Sequence, residues 1–188
     1  ATDARIGHLI DEILEGEDGF WRLEQKGDAG EKSADINRIW NDRQWISSIY
    51  SSAYNADYQK FRKDIFEVEE PFRNDLMQAA SDDPLYQKLM GVKYILGTTE
   101  DEASLAAAGY APYKKGGQYV AYQSTNTAPI AYATDRTVGV QDYGKLEFPY
   151  SQTALMKYVV TEDGQIPEDD WKGELESLTV PVELKIPE

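Results

Sequence analysis

The stretch Leu85–Asp135 constrains the fold of this chain more than any other. A helical lead-in ends at Gly91, and the apolar run Val92-Lys93-Tyr94-Ile95-Leu96 follows it. A run this short, bounded by glycine on both sides, reads as a buried strand, with Val92 and Ile95 in the core. A helix is expected over 99–108, with Thr99 as its cap, Glu100, Asp101 and Glu102 in its first turn, and Gly109 as its stop. Lys114-Lys115-Gly116-Gly117 reads as a turn between two strands. The second of these strands, 118–123, runs into a polar Asn-Thr turn and then an Ala-Pro-Ile strand over 129–134. Alternating helices and strands predict a mixed α/β (α+β) fold: one mixed sheet with flanking helices, its strands near 20–25, 92–97, 118–123, 129–134 and 174–184.

The flanks fit that plan. Ile6, Leu9, Ile10, Ile13 and Leu14 share one face of an expected helix over 3–16, closed by Gly16 and Gly19. Phe20-Trp21-Arg22-Leu23-Glu24 alternates like a strand, and the long connection from it to the strand at 92 permits parallel pairing. Tyr54, Tyr58, Phe61 and Ile65 fall at helical spacing, predicting a helix over 54–66. Asp83 and Pro84 open another that ends near Met90. Pro149 and Ser151 open a helix reaching about Val159, and residues 162–173 read as a linker or long turn before a C-terminal strand. The whole of 1–188 is expected to form a single domain.

Charge excludes several functions. The net charge is −15, with 34 acidic against 19 basic residues. Such a surface repels phosphate backbones and anionic lipid headgroups, so no nucleic-acid partner is expected. There are no cysteines, hence no disulfides and no thiolate ligands, which leaves the compartment open and is compatible with export. No window of 18 apolar residues is present, so this stretch of sequence is not expected to span a membrane.

Catalytic signatures are sparse. The one histidine, His8, reads as a surface or boundary residue of the first helix. No nucleophile elbow, phosphate-binding glycine loop or dinucleotide fingerprint occurs, and no catalytic residue, metal site or cofactor is expected. Carboxylates are abundant, and Glu67, Glu69, Glu70, Asp82, Asp83, Asp101 and Glu102 are candidates for a two-carboxylate hydrolase. They sit in runs, which more often form solvated faces or helix caps. The acidic stretch 163–170 invites a calcium reading but lacks the order of an EF-hand loop. The ligand-binding candidates are Trp40, Asn41, Asp42, Trp45, Tyr50 and Tyr54, in which aromatic faces would stack on sugar rings while Asn and Asp take hydroxyls. The competing and preferred reading is that these rings pack beneath an irregular segment.

Several segments, taken in order, resemble the YfhO-type bacterial membrane proteins. They are Phe20–Glu24, Asn41-Asp42 with Ile46–Ser52, Tyr58–Phe61, Gly91–Ile95, Tyr122–Pro129 and Gln152–Val160. In the Tyr122–Pro129 segment Thr127-Ala128 stands where Ala-Leu is usual in the family. The resemblance covers about 20–160. It implies an extracytoplasmic domain of a multi-pass protein with a glycosyltransferase-C-like membrane core. Such proteins are associated with glycosylating cell-envelope polymers such as lipoteichoic acid in Gram-positive bacteria. The partners it implies are the protein's own transmembrane core and envelope glycan. The alternatives are a free-standing carbohydrate-binding module or, further off, the hydrolase.

Overall fold

A computed structural model describes residues 4–26, 41–47, 49–50, 55–66, 76–77, 83–162 and 175, with backbone alone at 49–50 and 76–77. The chain divides into two compact units, Ala1–Ala131 and Tyr132–Glu188.

The first unit is built on a four-stranded mixed sheet. Its strands are β1 (Arg22–Gln25), β4 (Val92–Thr98), β5 (Tyr110–Gly116) and β6 (Tyr119–Ser124), in the order β1-β4-β6-β5. β1 runs parallel to β4, as the long connection between them permits, and β4–β6 and β5–β6 are antiparallel. A short antiparallel pair, β2 (Ile49–Tyr50) with β3 (Leu76–Met77), lies outside this sheet. The unit's helices are α1 (Ala4–Glu15), α2 (Ala56–Phe66), α3 (Pro84–Leu89) and α4 (Glu102–Ala107).

Helix α1 buries the five residues its periodicity selects, Ile6, Leu9, Ile10, Ile13 and Leu14. They pack on Leu23, Tyr94, Leu96, Tyr119 and Ala121 of the sheet. Removing each such aliphatic side chain from water contributes about 1.5–3 kcal/mol. On the other face Val92, Ile95, Tyr110, Val120 and Tyr122 pack with Leu105 of α4. β4 is thus an interior strand covered on both faces, which is why its sequence is an apolar run without simple alternation.

Helix ends follow local chemistry. Asp83 accepts a hydrogen bond from the Tyr86 amide at 2.9 Å, and Pro84 occupies the first position of α3. Before α4 the cap is one residue earlier than expected. The Asp101 carboxylate accepts from the amide of Thr98 at 2.8 Å and from its hydroxyl at 3.1 Å, across a 3-10 turn at Thr99–Asp101. Gly97 makes room for this contact, because a Cβ there would stand 2.7 Å from Asp101 Oδ2.

The hairpin turn also differs from expectation. Lys114 and Lys115 belong to β5, the strand before the turn, and not to the turn itself, and the reversal falls on Gly117-Gln118, where Gly117 has φ +64°. Pro112, the two lysines and a register shift after Pro112 protect this edge strand from further pairing.

The expected strand at 129–134 does not form. Pro129 lacks an amide donor, and the segment instead folds back over the start of β4. Thr127 Oγ1 donates to the Val92 carbonyl at 3.5 Å, and Ile130 Cγ1 lies 2.8 Å from where a Cβ on Gly91 would stand.

In the second unit β7 (Thr137–Gly139) pairs in parallel with β8 (Val159–Thr161), and α5 (Val140–Tyr143) and α6 (Tyr150–Leu155) lie between them in sequence. α6 is shorter than expected because the β-branched run Val159-Val160-Thr161 forms a strand. Of the strand expected near 174–184, only Leu175 is described. It is buried and helical. The other residues of that segment lie outside those described, as does nearly all of 162–173.

Candidate functional site

The residues most densely tied together surround the turn between α1 and β1. α1 ends at Glu15, and the chain must reverse to enter β1 at Arg22. Glu17 in that turn is 12% exposed, and its carboxylate collects three donors: Lys93 Nζ at 2.5 Å, Tyr94 OH at 2.8 Å and the Gly19 amide at 3.3 Å. Burial by itself pushes the Glu17 carboxyl upward. The hydrogen bonds from Lys93, Tyr94 and Gly19, with the lysine's charge, outweigh it and hold the group below the ordinary carboxylate value. The Tyr94 phenol is pushed up, first by burial and then by its bond to the Glu17 carboxylate.

Lys93 and Tyr94 are neighbours in a strand, so their side chains should point to opposite faces. The β1–β4 register resolves this. Arg22 pairs with Val92 but Leu23 pairs with Tyr94, so the ladder skips Lys93. The bulge re-aims the side chains and lets both residues meet one carboxylate. It also explains why Val92 and Tyr94, two residues apart, fall in different core clusters. The Lys93 ammonium lies 4.9 Å from the Trp21 ring centroid and 5.4 Å from that of Tyr94. Tyr113 stands against Tyr94 at 5.8 Å. Arg22 reaches the other way and donates to the Met90 carbonyl at the end of α3.

The other side of β1 carries a buried polar network. Glu24 is 5% exposed and accepts from the Ser47 amide and hydroxyl, both at 2.6 Å. The hydroxyls of Tyr58 and Tyr86 are 2.6 Å apart, and Tyr58 donates to the Ser47 carbonyl at 3.2 Å. Arg62, fully buried, lies over the Tyr58 ring at 5.7 Å. Desolvation raises both phenols, and the neighbouring hydroxyl and Glu24 add to the rise at Tyr58. The network fastens the 41–47 segment and α2 to the sheet and leaves its hydroxyls protonated at ordinary pH.

Of the ligand-binding candidates, Asn41, Asp42 and Trp45 share one turn. Asn41 donates to Asp11 Oδ1 at 2.8 Å and accepts from the Arg43 amide at 2.8 Å. Asp42 is exposed. Trp45 is half-exposed and meets Phe20 edge to face, with ring centroids 6.0 Å apart and planes at 86°. Tyr50 lies on β2, where only the backbone is described, and Trp40 and Tyr54 lie outside the described residues. Phe20 carries no marker in the sequence beyond its place in a short alternating run. Glu17, Lys93 and Glu24 were also missed, and only Lys93 carried a signal, an isolated charge inside an apolar strand.

The remaining candidates have structural employment where they are described. Asp83 and Asp101 are caps, and Glu102 is exposed in the first turn of α4. Glu67, Glu69, Glu70, Asp82 and the 163–170 stretch lie outside the described residues. His8 is exposed and pairs with Glu12 at 3.2 Å. Among the described residues no group of three or more His, Cys, Asp or Glu is placed to hold a metal ion, and no helix is long and apolar enough to cross a membrane.

What this arrangement defines is a domain organised around a bulged central strand. The family description "Bacterial membrane protein YfhO" matches residues 46–180, more than half of the chain, and the chain belongs to that family. No curated protein and no solved structure matches it. The matched span includes the Gly91–Ile95 and Tyr122–Pro129 segments, which the structure brings together through the β4–β6 ladder and the fold-back over Gly91. It begins beyond Phe20–Glu24 and Asn41-Asp42, where the resemblance read from the residues had started, and runs past its expected end at 160.

Proposed function

We propose that the chain is a non-catalytic extracytoplasmic domain of a polytopic YfhO membrane protein. The membrane core of that protein would glycosylate a cell-envelope polymer such as lipoteichoic acid, and this domain would position the acceptor glycan or cap the membrane active site. The observation that carries the reading is membership of a membrane-protein family over residues 46–180. Support for a non-catalytic role comes from the carboxylates. Glu17, Glu24, Asp83 and Asp101 each accept hydrogen bonds that hold the fold.

Side-specific labelling of the parent protein tests the reading. The chain contains no cysteine. A single cysteine placed at exposed Asp42 or Glu100, in a cysteine-free parent, gives one addressable thiol. Reaction of intact cells with a membrane-impermeant maleimide is expected. Labelling only after lysis sinks the extracytoplasmic assignment, and sugar transfer by the purified 188-residue chain alone sinks the non-catalytic one. The exposed pair Phe20 and Trp45 favours a second reading, a free-standing carbohydrate-binding module. A reading frame without membrane spans beside this segment selects it.

A further inference from the structure

We propose that Phe20 and Trp45, with Asp42 on the turn that leads into Trp45, form a binding platform for a neutral pyranose. This rests on the reading of the domain as one that contacts glycan, and it supplies the residues and the ligand chemistry. Phe20 is 72% exposed and Trp45 50%, among the most exposed large apolar side chains described. They pack on each other edge to face at 86° and leave most of Phe20 and half of Trp45 open to solvent.

The corner is held rigidly. Trp45 bridges Arg22 in parallel, and its carbonyl accepts from the Leu23 amide at 2.9 Å. Gln44, buried at 3% exposure, donates to the Leu23 carbonyl at 3.4 Å, and its amide closes the turn onto the Asn41 carbonyl at 3.0 Å. Arg43 donates to the Glu17 carbonyl at 3.0 Å, and Asn41 is tied to Asp11 of α1. Both rings therefore stand on backbone fixed to the central sheet and to α1. A ligand would pay little ordering cost in the protein. Asn41 and Arg43 are occupied by these anchoring bonds. Asp42 is exposed and makes no hydrogen bond or ion pair among the described residues, so its carboxylate is open to accept from hydroxyl groups.

Two apolar ring faces and one open acceptor match a pyranose. Its axial C–H groups form an apolar face, and its equatorial hydroxyls donate at the rim. A bilayer surface fits less well. The chain carries a net charge of −15, and Asp42 brings negative charge to the site itself, opposing anionic headgroups. A quaternary ammonium ion would meet the same rings and carboxylate, but on open faces it keeps its solvent shell, and exposed cation–π contacts are weak.

The test uses the whole 188-residue chain, labelled with nitrogen-15 and titrated with methyl β-glucopyranoside and maltotriose. The Trp45 indole resonance is expected to shift saturably, with Kd in the roughly millimolar range. Phe20→Ala and Asp42→Asn should each weaken binding by about tenfold, the loss of one good contact, while leaving the amide spectrum otherwise intact. These are exposed positions, so their substitution leaves the core untouched. No Trp45 response up to about 100 mM sugar overturns the proposal. So does a response that survives both substitutions, or a response to tetramethylammonium or neutral phosphatidylcholine vesicles in place of the sugars. The labelling of intact cells described above fails independently. Sugar binding by a domain on the cytoplasmic side would leave the platform standing and remove the function proposed for it. An outward-facing domain with a silent Trp45 would remove the platform alone.

Discussion

Lys93 Nζ and Glu17 Oε2 are 2.5 Å apart, although one lies in the central strand and the other in the turn after the first helix. Their side chains are 22% and 12% exposed, so the pair is shielded from water on most sides. It pins the α1–β1 turn to the bulge in β4. Removing one partner leaves the other desolvated, which makes it more damaging than removing a surface pair. Lys93→Ala should lower unfolding free energy by roughly 1–3 kcal/mol in urea titrations. Combining it with Glu17→Gln should cost less than the sum of the two single changes.

Glu17 also gives the domain an acid-side dependence. Its folded-state carboxyl is held below the ordinary value of 4.5. A depressed carboxyl contributes stability at pH above its unfolded value, and that contribution is lost as pH falls through the folded one. The urea midpoint should therefore drop between pH 5 and 3, by the usual range of carboxyl titration, and the drop should shrink in Glu17→Gln. Equal acid slopes in the two proteins would remove Glu17 as the cause.

Gly91 joins α3 to β4 with φ +64°, and a side chain there would meet Ile130 Cγ1 at 2.8 Å. Gly91→Ala should cost about 1–2 kcal/mol from the backbone alone, and more if the 127–130 fold-back is displaced. Faster exchange of the Arg22 amide, which donates to the Gly91 carbonyl at 2.8 Å, is the expected signature.

Ile95 and Tyr94 test the interior of the sheet. Ile95 is 1% exposed and Tyr94 3%. Ile95→Ala should cost about 2–5 kcal/mol. Tyr94→Asp should cost at least as much, because it buries a second carboxylate beside Glu17 and removes a donor from it. Slow amide exchange across Val92–Leu96, at the level of global unfolding, accompanies both expectations.

Glu24 should be intolerant of truncation. Glu24→Ala strips the Ser47 amide and hydroxyl of their acceptor, and about 1–3 kcal/mol should be lost. Ser47→Ala removes one of the two donors and should cost less. The reverse order in thermal melts would show that the Glu24 carboxylate is not what anchors Ser47.

Local rules read well wherever a segment's own chemistry decides its structure. The buried face of α1, the Asp83–Pro84 helix start and the buried run at Val92–Leu96 all follow from spacing and side-chain type. Long-range partners overrode local pattern elsewhere. Ala128-Pro129-Ile130 has strand-like apolar character but packs over Gly91, a contact no local signal announces. Val159, the expected end of a helix, instead opens a strand that pairs with β7. At the candidate site, Asn41, Asp42 and Trp45 were legible as polar and aromatic neighbours, whereas Phe20 joins them only because Trp45 bridges Arg22, which brings the 41–45 turn alongside β1.

Because Leu23 pairs with Tyr94, the first strand to be synthesised can join the sheet only after the fourth has been made. The β5–β6 hairpin and its pairing with β4 close short loops and should form early, while β1 and the apolar face of α1 wait for a template. The order of assembly in this unit thus runs against the order of synthesis. A chain arrested before residue 96 would lack Leu96, Tyr119 and Ala121 from the surface that covers α1, a state prone to misassociation until the hairpin arrives.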